Sequence, residues 1–279
     1  MATKFQDILV TRSGQVLTIT MNRPQVLNAF RAATLSELVE AFKAAGADPE
    51  VRVIVLTGAG DRAFCAGGDI NWEAEDGLRN DGRAETAPQM VARVYQAMRE
   101  TYKPTVARLN GYAIGAGNHM AYMCDFTIAA EDAILGQNGP RVGSPADAWM
   151  VSYLTRVIGH KRAREMWMLC RRYTARQALE WGLVNAVVPR AELDEEVARW
   201  CADLLAASPT CLMVLKASFD DEWLSLRNQP RDYVADLNPE FWTSEQQEGS
   251  RAFLQKRKPD WTKYPVVALP NRQVEKSTA

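Results

Sequence analysis

The sequence predicts a layered α/β protein whose core strands run parallel. Three observations lead there. Val53-Ile54-Val55-Leu56 is an uninterrupted apolar run closed by Thr57-Gly58, the pattern of a strand covered on both faces. Strand, helix and strand patterns then succeed one another as far as about residue 129, a succession that right-handed parallel crossovers produce. From Asp147 onward the pattern is helical almost throughout, interrupted by one further strand over 184–188.

Each element has its own signal. Residues 8–10 and 16–21 are β-rich runs joined by Ser13-Gly14, which reads as a hairpin. From Thr34, the residues Leu35, Leu38, Val39 and Phe42 fall at helical spacing, ending near Gly46. After the strand at 53–56, the charged stretch 69–85 reads as an exposed loop. Helical periodicity resumes over 90–102, Pro104 breaks it, and 105–109 is the next strand. A glycine-rich turn at 111–117 leads into apolar sequence through Met123, and 126–129 is a short strand. Residues 191–207 form an amphipathic helix and Pro209 starts another. Trp223, Phe241, Trp242 and Trp261 load the last quarter with aromatics, so that region packs on its own core or on a neighbouring subunit. The chain from about 269 reads as a frayed end.

Composition excludes several functions. Thirty-three Lys and Arg against 34 Asp and Glu give a net charge of −1, so no global basic field draws in nucleic acid. No apolar run approaches the roughly 18 residues of a membrane span, and no basic-then-apolar leader opens the chain; the expectation is a cytoplasmic protein. Five cysteines, Cys65, Cys124, Cys170, Cys201 and Cys211, are odd in number and include no C-x-x-C pair, which argues for reduced thiols rather than disulfides or zinc. With only His119 and His160, a metal site built on imidazoles is not expected.

Two strand-to-turn-to-helix junctions carry the chemistry: Ala63-Phe64-Cys65-Ala66-Gly67-Gly68-Asp69-Ile70 and Asn110-Gly111-Tyr112-Ala113-Ile114-Gly115-Ala116-Gly117. Small residues let a ligand approach the backbone, and helix N-termini leave amide N–H groups pointing outward. Facing turns of this kind would offer one N–H apiece to a single oxygen, an oxyanion hole. The Lys of a phosphate loop is missing and the G-x-G-x-x-G spacing does not occur, so nucleotide hydrolysis and hydride transfer recede.

The ordered series Asn22-Arg23-Pro24, Leu27-Asn28-Ala29, the two glycine turns and Cys124-Asp125 resembles the crotonase (enoyl-CoA hydratase/isomerase) superfamily over roughly residues 5 to 265. The resemblance implies a spiral of repeated ββα units over 1–205, a helical C-terminal segment over 206–268 that covers the active site or forms trimers, and a tail over 269–279. It implies a homotrimer or dimer of trimers acting on an acyl-CoA thioester, with coenzyme A as part of the substrate, no tightly bound cofactor and no metal. The oxyanion donors fall at Gly68 and Ala116, the latter replacing the family's usual glycine. By position, Leu27, Ala29, Ala66, Gly67, Asp69, Ile70, Tyr112, Gly115 and Phe241 contact substrate, and Lys256 suits the phosphates of coenzyme A.

The stretch Leu135-Gly136-Gln137-Asn138-Gly139-Pro140-Arg141-Val142-Gly143-Ser144 is similar to the dihydroxynaphthoyl-CoA synthases and 2-ketocyclohexanecarboxyl-CoA hydrolases, which make or break a ring carbon–carbon bond beside the thioester. In some of those naphthoate synthases, residues matching Gln137, Gly139 and Trp167 hold a bicarbonate in place of the missing carboxylate. The two glutamates of enoyl-CoA hydratases correspond to His119 and Gly139, which disfavours simple hydration. The branch's Asp corresponds to Ala146, with Asp147 following, and its tyrosine to Phe241. His119, Ser144 and Asp147 are the proton-transfer candidates. Each has a plain structural alternative: a core histidine, a turn serine and a helix cap. Carbon–carbon bond formation or cleavage in a cyclic β-oxoacyl-CoA is the first expectation, a degradative hydratase or isomerase the second, and a non-catalytic acyl-CoA- or RNA-binding protein the rival class.

Overall fold

The computed structural model describes residues 5–74, 85–144, 146, 148–227, 238 and 240–264. The expected hairpin forms from β1 (Ile8–Ser13) and β2 (Val16–Met21), followed by α1 (Ala32–Ala47). Three ββα repeats come next. In the first, β3 (Val53–Gly58) and β4 (Ala63–Cys65) precede α2 (Ile70–Trp72) and α3 (Ala87–Glu100). In the second, β5 (Thr105–Leu109) and β6 (Tyr112–Ile114) precede α4 (Ala116–Met123). In the third, β7 (Phe126–Ala130) and β8 (Ile134–Gly136) precede α5 (Gly139–Val142). Then follow α6 (Ala148–Ile158), α7 (His160–Leu169), β9 (Arg172–Thr174), α8 (Ala175–Glu180), β10 (Ala186–Val188), α9 (Leu193–Ala206), α10 (Pro209–Arg227) and, last, α11 (Glu245–Leu254).

Each repeat sends its first strand to one sheet and its second to another. The larger sheet has the order β1-β2-β3-β5-β7-β10 and the smaller β4-β6-β8-β9, parallel except at β1–β2 and β8–β9. Every residue of β3 is buried, as its apolar run requires, and the pleat divides them. Ile54 and Leu56 enter the main core with Phe30, Phe42 and Phe64, whereas Val53 and Val55 pack with Leu193 and Val197 of α9.

The differences from the sequence pattern have a common cause. β6, β8 and β9 span three residues each, too few to show a period of two, and β6 lies inside what reads as the second glycine turn. The stretch from Asp69 is not simply exposed: α2 opens it, and Glu73 is buried. Residues 75–84, Asp147 and the tail read from 269 lie outside the described residues.

The C-terminal segment is attached at two places. α11 packs on α5 and α2. α10 is anchored by buried charge: Lys216 Nζ is 2.8 Å from Asp125 Oδ2, and Arg99 Nη1 is 2.6 Å from Asp220 Oδ1. The Thr105 N–H and hydroxyl also donate to Asp125 Oδ2, at 2.7 and 2.8 Å. Burial alone would raise the Asp125 carboxyl, but Lys216 and Arg99 outweigh it and hold it below its usual range. Removing one member strands the others, which costs about 3–5 kcal/mol in buried pairs. Lys216→Met is therefore expected to lower stability by about 3 kcal/mol, read as a shift in the urea midpoint at constant slope.

Candidate active site

The parallel strands β4, β6 and β8 lie side by side and release their chains at the same edge of the small sheet. Ligands of open parallel sheets bind at that carboxyl edge. Here it holds the three turns that the sequence marks: 66–68, Gly115 and 137–139.

The first turn is held by a neighbouring segment. Ala66 N–H donates to Leu27 O (3.1 Å), Phe30 N–H to Gly67 O (2.9 Å) and Asp69 N–H to Phe30 O (2.8 Å). Successive N–H groups of extended chain point to opposite sides, so the Gly68 N–H faces away from this segment and meets no acceptor among the described residues. Arg23 and Asn28 fix the turn from behind. Arg23 Nη2 donates to Asp69 Oδ2 at 2.9 Å, and Asn28 Nδ2 to the carbonyls of Ala59 and Ala63 at 2.9 and 2.8 Å.

In the second turn Gly115 caps α4 at φ 58°, ψ −127°, a conformation open to glycine. Its N–H donates to Gly136 O at 2.9 Å. The Ala116 N–H is the first of the helix and has no intrahelical partner. A methyl placed on Gly67 would stand 3.8 Å from Ala116 N, so the two turns touch and their free amides border one space. The alanine methyl at 116 leaves this donor in place.

That space is a cavity of about 330 Å³. Of the expected catalytic residues, Gly68, Ala116, His119 and Ser144 line it; Asp147 lies outside the described residues. Leu27, Ala29, Ala66 and Gly67 also line it, as do Asp69, Ile70 and Gly115. So do Gln137, Gly139 and Trp167. Three others are not brought there. Tyr112 is 45% exposed, Phe241 stacks edge-on against Trp242, and Lys256 is exposed beyond the end of α11. Phe253 and Leu254 of α11 reach the cavity instead, and sequence periodicity gives no sign of it.

His119 sits one turn along α4 from Ala116, its ring 5.0 Å from that of Trp167. Neither of its nitrogens has a hydrogen-bond partner of normal geometry. Burial pushes its pKa down to about 3, with the adjacent Gln137 side chain opposing the shift, so the ring is a neutral imidazole rather than a group titrating near pH 7. Among the described residues, Gln137 Nε2 and Oε1 and Trp167 Nε1 are likewise buried without partners. Gly139 has no side chain to offer, and the Ser144 carbonyl occupies the place where one would stand.

The residue that sequence reasoning misses is Glu73. It lines the cavity at 8% exposure, one helical turn past Asp69; an acid at that interval from the first turn is the signal that could have found it. Burial, and second the Asp69 carboxylate, raise its pKa from the usual 4.5 to about 7.

Two amides without partners among the described residues border one cavity on a ββα spiral, an arrangement suited to polarising a carbonyl oxygen. A sequence profile of the enoyl-CoA hydratase/isomerase family matches residues 11–264. An enoyl-CoA hydratase from Mycobacterium avium subsp. paratuberculosis K-10 is 28% identical, over 92% of this chain and 99% of that one, with a TM-score of 0.79. One from Bacillus anthracis is 30% identical over 91% and 98%, with a TM-score of 0.71. A methylmalonyl-CoA decarboxylase complexed with 2S-carboxypropyl CoA is 25% identical over 92% and 98%, with a TM-score of 0.81. The chain belongs to the enoyl-CoA hydratase/isomerase family of the crotonase superfamily, and coenzyme A is thus part of its substrate.

The raised acidity of Glu73 sets a pH dependence. Between pH 4.5 and about 7 the folded chain keeps a proton that the unfolded chain has lost, so stability falls as pH rises through this window. Glu73→Gln stays neutral throughout. It is expected to be more stable than the parent by about 3 kcal/mol at pH 8 and equal to it at pH 4, as urea unfolding at the two pH values would show.

Proposed function

We propose that the protein forms or cleaves the carbon–carbon bond beside the thioester of a β-oxoacyl-CoA, through an enolate whose oxygen is held by the Gly68 and Ala116 N–H groups. The observation that carries this reading is a second pole in the cavity made only of neutral groups. Gln137 and Trp167 keep unpaired polar atoms there, beside a neutral His119. Each such buried orphan costs about 1–3 kcal/mol. An acyl group with an oxygen beyond the thioester carbonyl satisfies both poles, whereas a plain enoyl chain satisfies one.

Hydration also lacks its usual pair of glutamates. It needs one group to activate water and one to deliver a proton, and the positions that correspond carry His119, held at about 3, and Gly139. The likeness to a methylmalonyl-CoA decarboxylase supports carbon–carbon chemistry, because decarboxylation breaks such a bond. The relatives named enoyl-CoA hydratases support hydration or double-bond isomerisation equally; isomerisation, which needs a single acid/base, is the second reading. Within the superfamily, the first reading points to the dihydroxynaphthoyl-CoA synthase and 2-ketocyclohexanecarboxyl-CoA hydrolase branch.

A bicarbonate at Gln137, Gly139 and Trp167 would use the same donors. Charge disfavours it: among the described residues, the cavity is lined by the acids Asp69 and Glu73 and by no Lys or Arg. An uncharged carbonyl oxygen suits that field better than an anion. Assembly into a trimer or dimer of trimers belongs to the same proposal, with Met213, Val214, Leu215 and Phe219 of α10 exposed, the last at 76%.

Mass spectrometry of the protein incubated with cyclic and linear β-oxoacyl, malonyl-type and enoyl CoA thioesters tests the reading. Turnover of a β-oxoacyl thioester with crotonyl-CoA untouched is expected. Turnover of enoyl thioesters alone removes the carbon–carbon reading, and binding without turnover of any class leaves an acyl-CoA-binding protein. Trp167→Phe keeps the aromatic bulk and deletes the donor; it should raise KM for the β-oxo substrate roughly five-fold, the equivalent of one neutral hydrogen bond of about 1 kcal/mol.

A further inference from the structure

We propose that Glu73 is the catalytic acid/base that removes and returns the substrate's α-proton beside the oxyanion hole. The inference rests on the enolate reading above and names the group that makes the enolate.

Geometry comes first. The Glu73 carboxylate lies against the Cα of Gly68, so close that a methyl there would overlap it, and both residues line the cavity. The Gly68 N–H is one of the two free donors. A thioester oxygen held by it would place the acyl chain in the cavity that the Glu73 carboxylate also lines. The backbone sets the position: Glu73 N–H donates to Asp69 O at 2.8 Å, and Asp69 is pinned by Arg23.

Isolation comes second. Four acids are buried among the described residues: Asp7, Glu73, Asp220 and Glu248. Asp7 is paired with Arg31, Asp220 with Arg99 and Glu248 with Arg257. Of these four, Glu73 alone has no hydrogen bond or ion pair to its carboxylate among the described residues. A buried acid without a partner destabilises the fold, and such groups mark sites where proton transfer is the use. Its acidity near 7 lets both forms be populated at neutral pH. His119, at about 3, is a far weaker base.

The step balances without any other reagent. The carboxylate takes the α-proton, the C–H electron pair becomes the enolate double bond, and the carbonyl π pair moves to the oxygen held by the two N–H groups. The protonated Glu73 exchanges with solvent and returns a hydron to the α-carbon, restoring the thioester.

Exchange of the α-hydrogens of butyryl-CoA in D2O, followed by mass spectrometry, isolates this step from the later fate of the acyl group. The full-length protein should catalyse exchange at a rate that rises with pH through about 7. Glu73→Gln should lose at least ~100-fold of that rate while binding butyryl-CoA within a few-fold of the parent by calorimetry. Glu73→Asp should keep a reduced rate with a displaced pH midpoint. Exchange at the parental rate in Glu73→Gln, or an unmoved midpoint in Glu73→Asp, overturns the role of Glu73 and leaves the enolate reading standing. A parent that binds butyryl-CoA and exchanges nothing overturns both. Loss in Asp147→Asn with Glu73→Gln unaffected transfers the role to Asp147.

Discussion

Parallel pairing of β4 with β6 brings two otherwise ordinary backbone amides to the wall of one cavity, and the site depends on how closely the segments after those strands approach. Gly117 shows the tolerance: a side chain there would overlap the Cys65 carbonyl and drive α4 away from β4. The donors themselves cost the protein little. The Ala116 N–H is a helix-end orphan that any helix would have, and the Gly68 N–H is the outward half of a strand edge whose inward half is used by Phe30. Preorganisation arises from the topology, with Asn28 and the Arg23–Asp69 pair preventing the first turn from relaxing into the space.

The lining of that cavity combines the acids Asp69 and Glu73 with His119, Gln137 and Trp167, whose polar atoms are unpaired among the described residues. Asp69 is neutralised by Arg23, whereas Glu73 has only repulsion from Asp69 and the cost of burial, which together bring it to about 7. A low-dielectric enclosure magnifies both the penalty and any interaction formed within it. A developing enolate between the two amides would otherwise face an ionised acid; an acid that has just accepted the proton is neutral at the moment when charge appears on the oxygen. The timing follows from the proton transfer itself and requires no cation in the cavity.

Much of this was legible in the residues, and what was not has identifiable reasons. The apolar run 53–56 and the break at Pro104 announce β3 and the end of α3, and the two glycine turns announce where the free amides lie. The short strands β6, β8 and β9 escape because three residues show no alternation. The neutrality of His119 escapes because a sequence shows a residue's type and not its desolvation. The resemblance read from the sequence matches the hydratases' glutamates to 119 and 139 and so directs attention away from the first turn. Phe253 and Leu254 enter the cavity only through the packing of α11 on α2 and α5, a long-range contact that local pattern does not encode.

The absence of a carboxylate at 139 then has a structural reason as well as a chemical one. The chain from α5 doubles back so that Ser144 N–H donates to Gly139 O at 3.0 Å, and the Ser144 carbonyl fills the position of a side chain at 139. A glutamate could return there only if this turn moved, which would carry Ser144 and the start of α6 with it. The first turn has the complementary property. Gly68 lacks a side chain, and the Glu73 carboxylate occupies the volume that one would take. Small residues at 68 and 139 thus have opposite consequences: one admits an acid beside a free amide, and the other leaves backbone in the place that the resemblance assigns to a hydratase's second glutamate. With Glu73 against Gly68 and the neutral His119, Gln137 and Trp167 also in the lining, the cavity suits the proposed movement of a single proton.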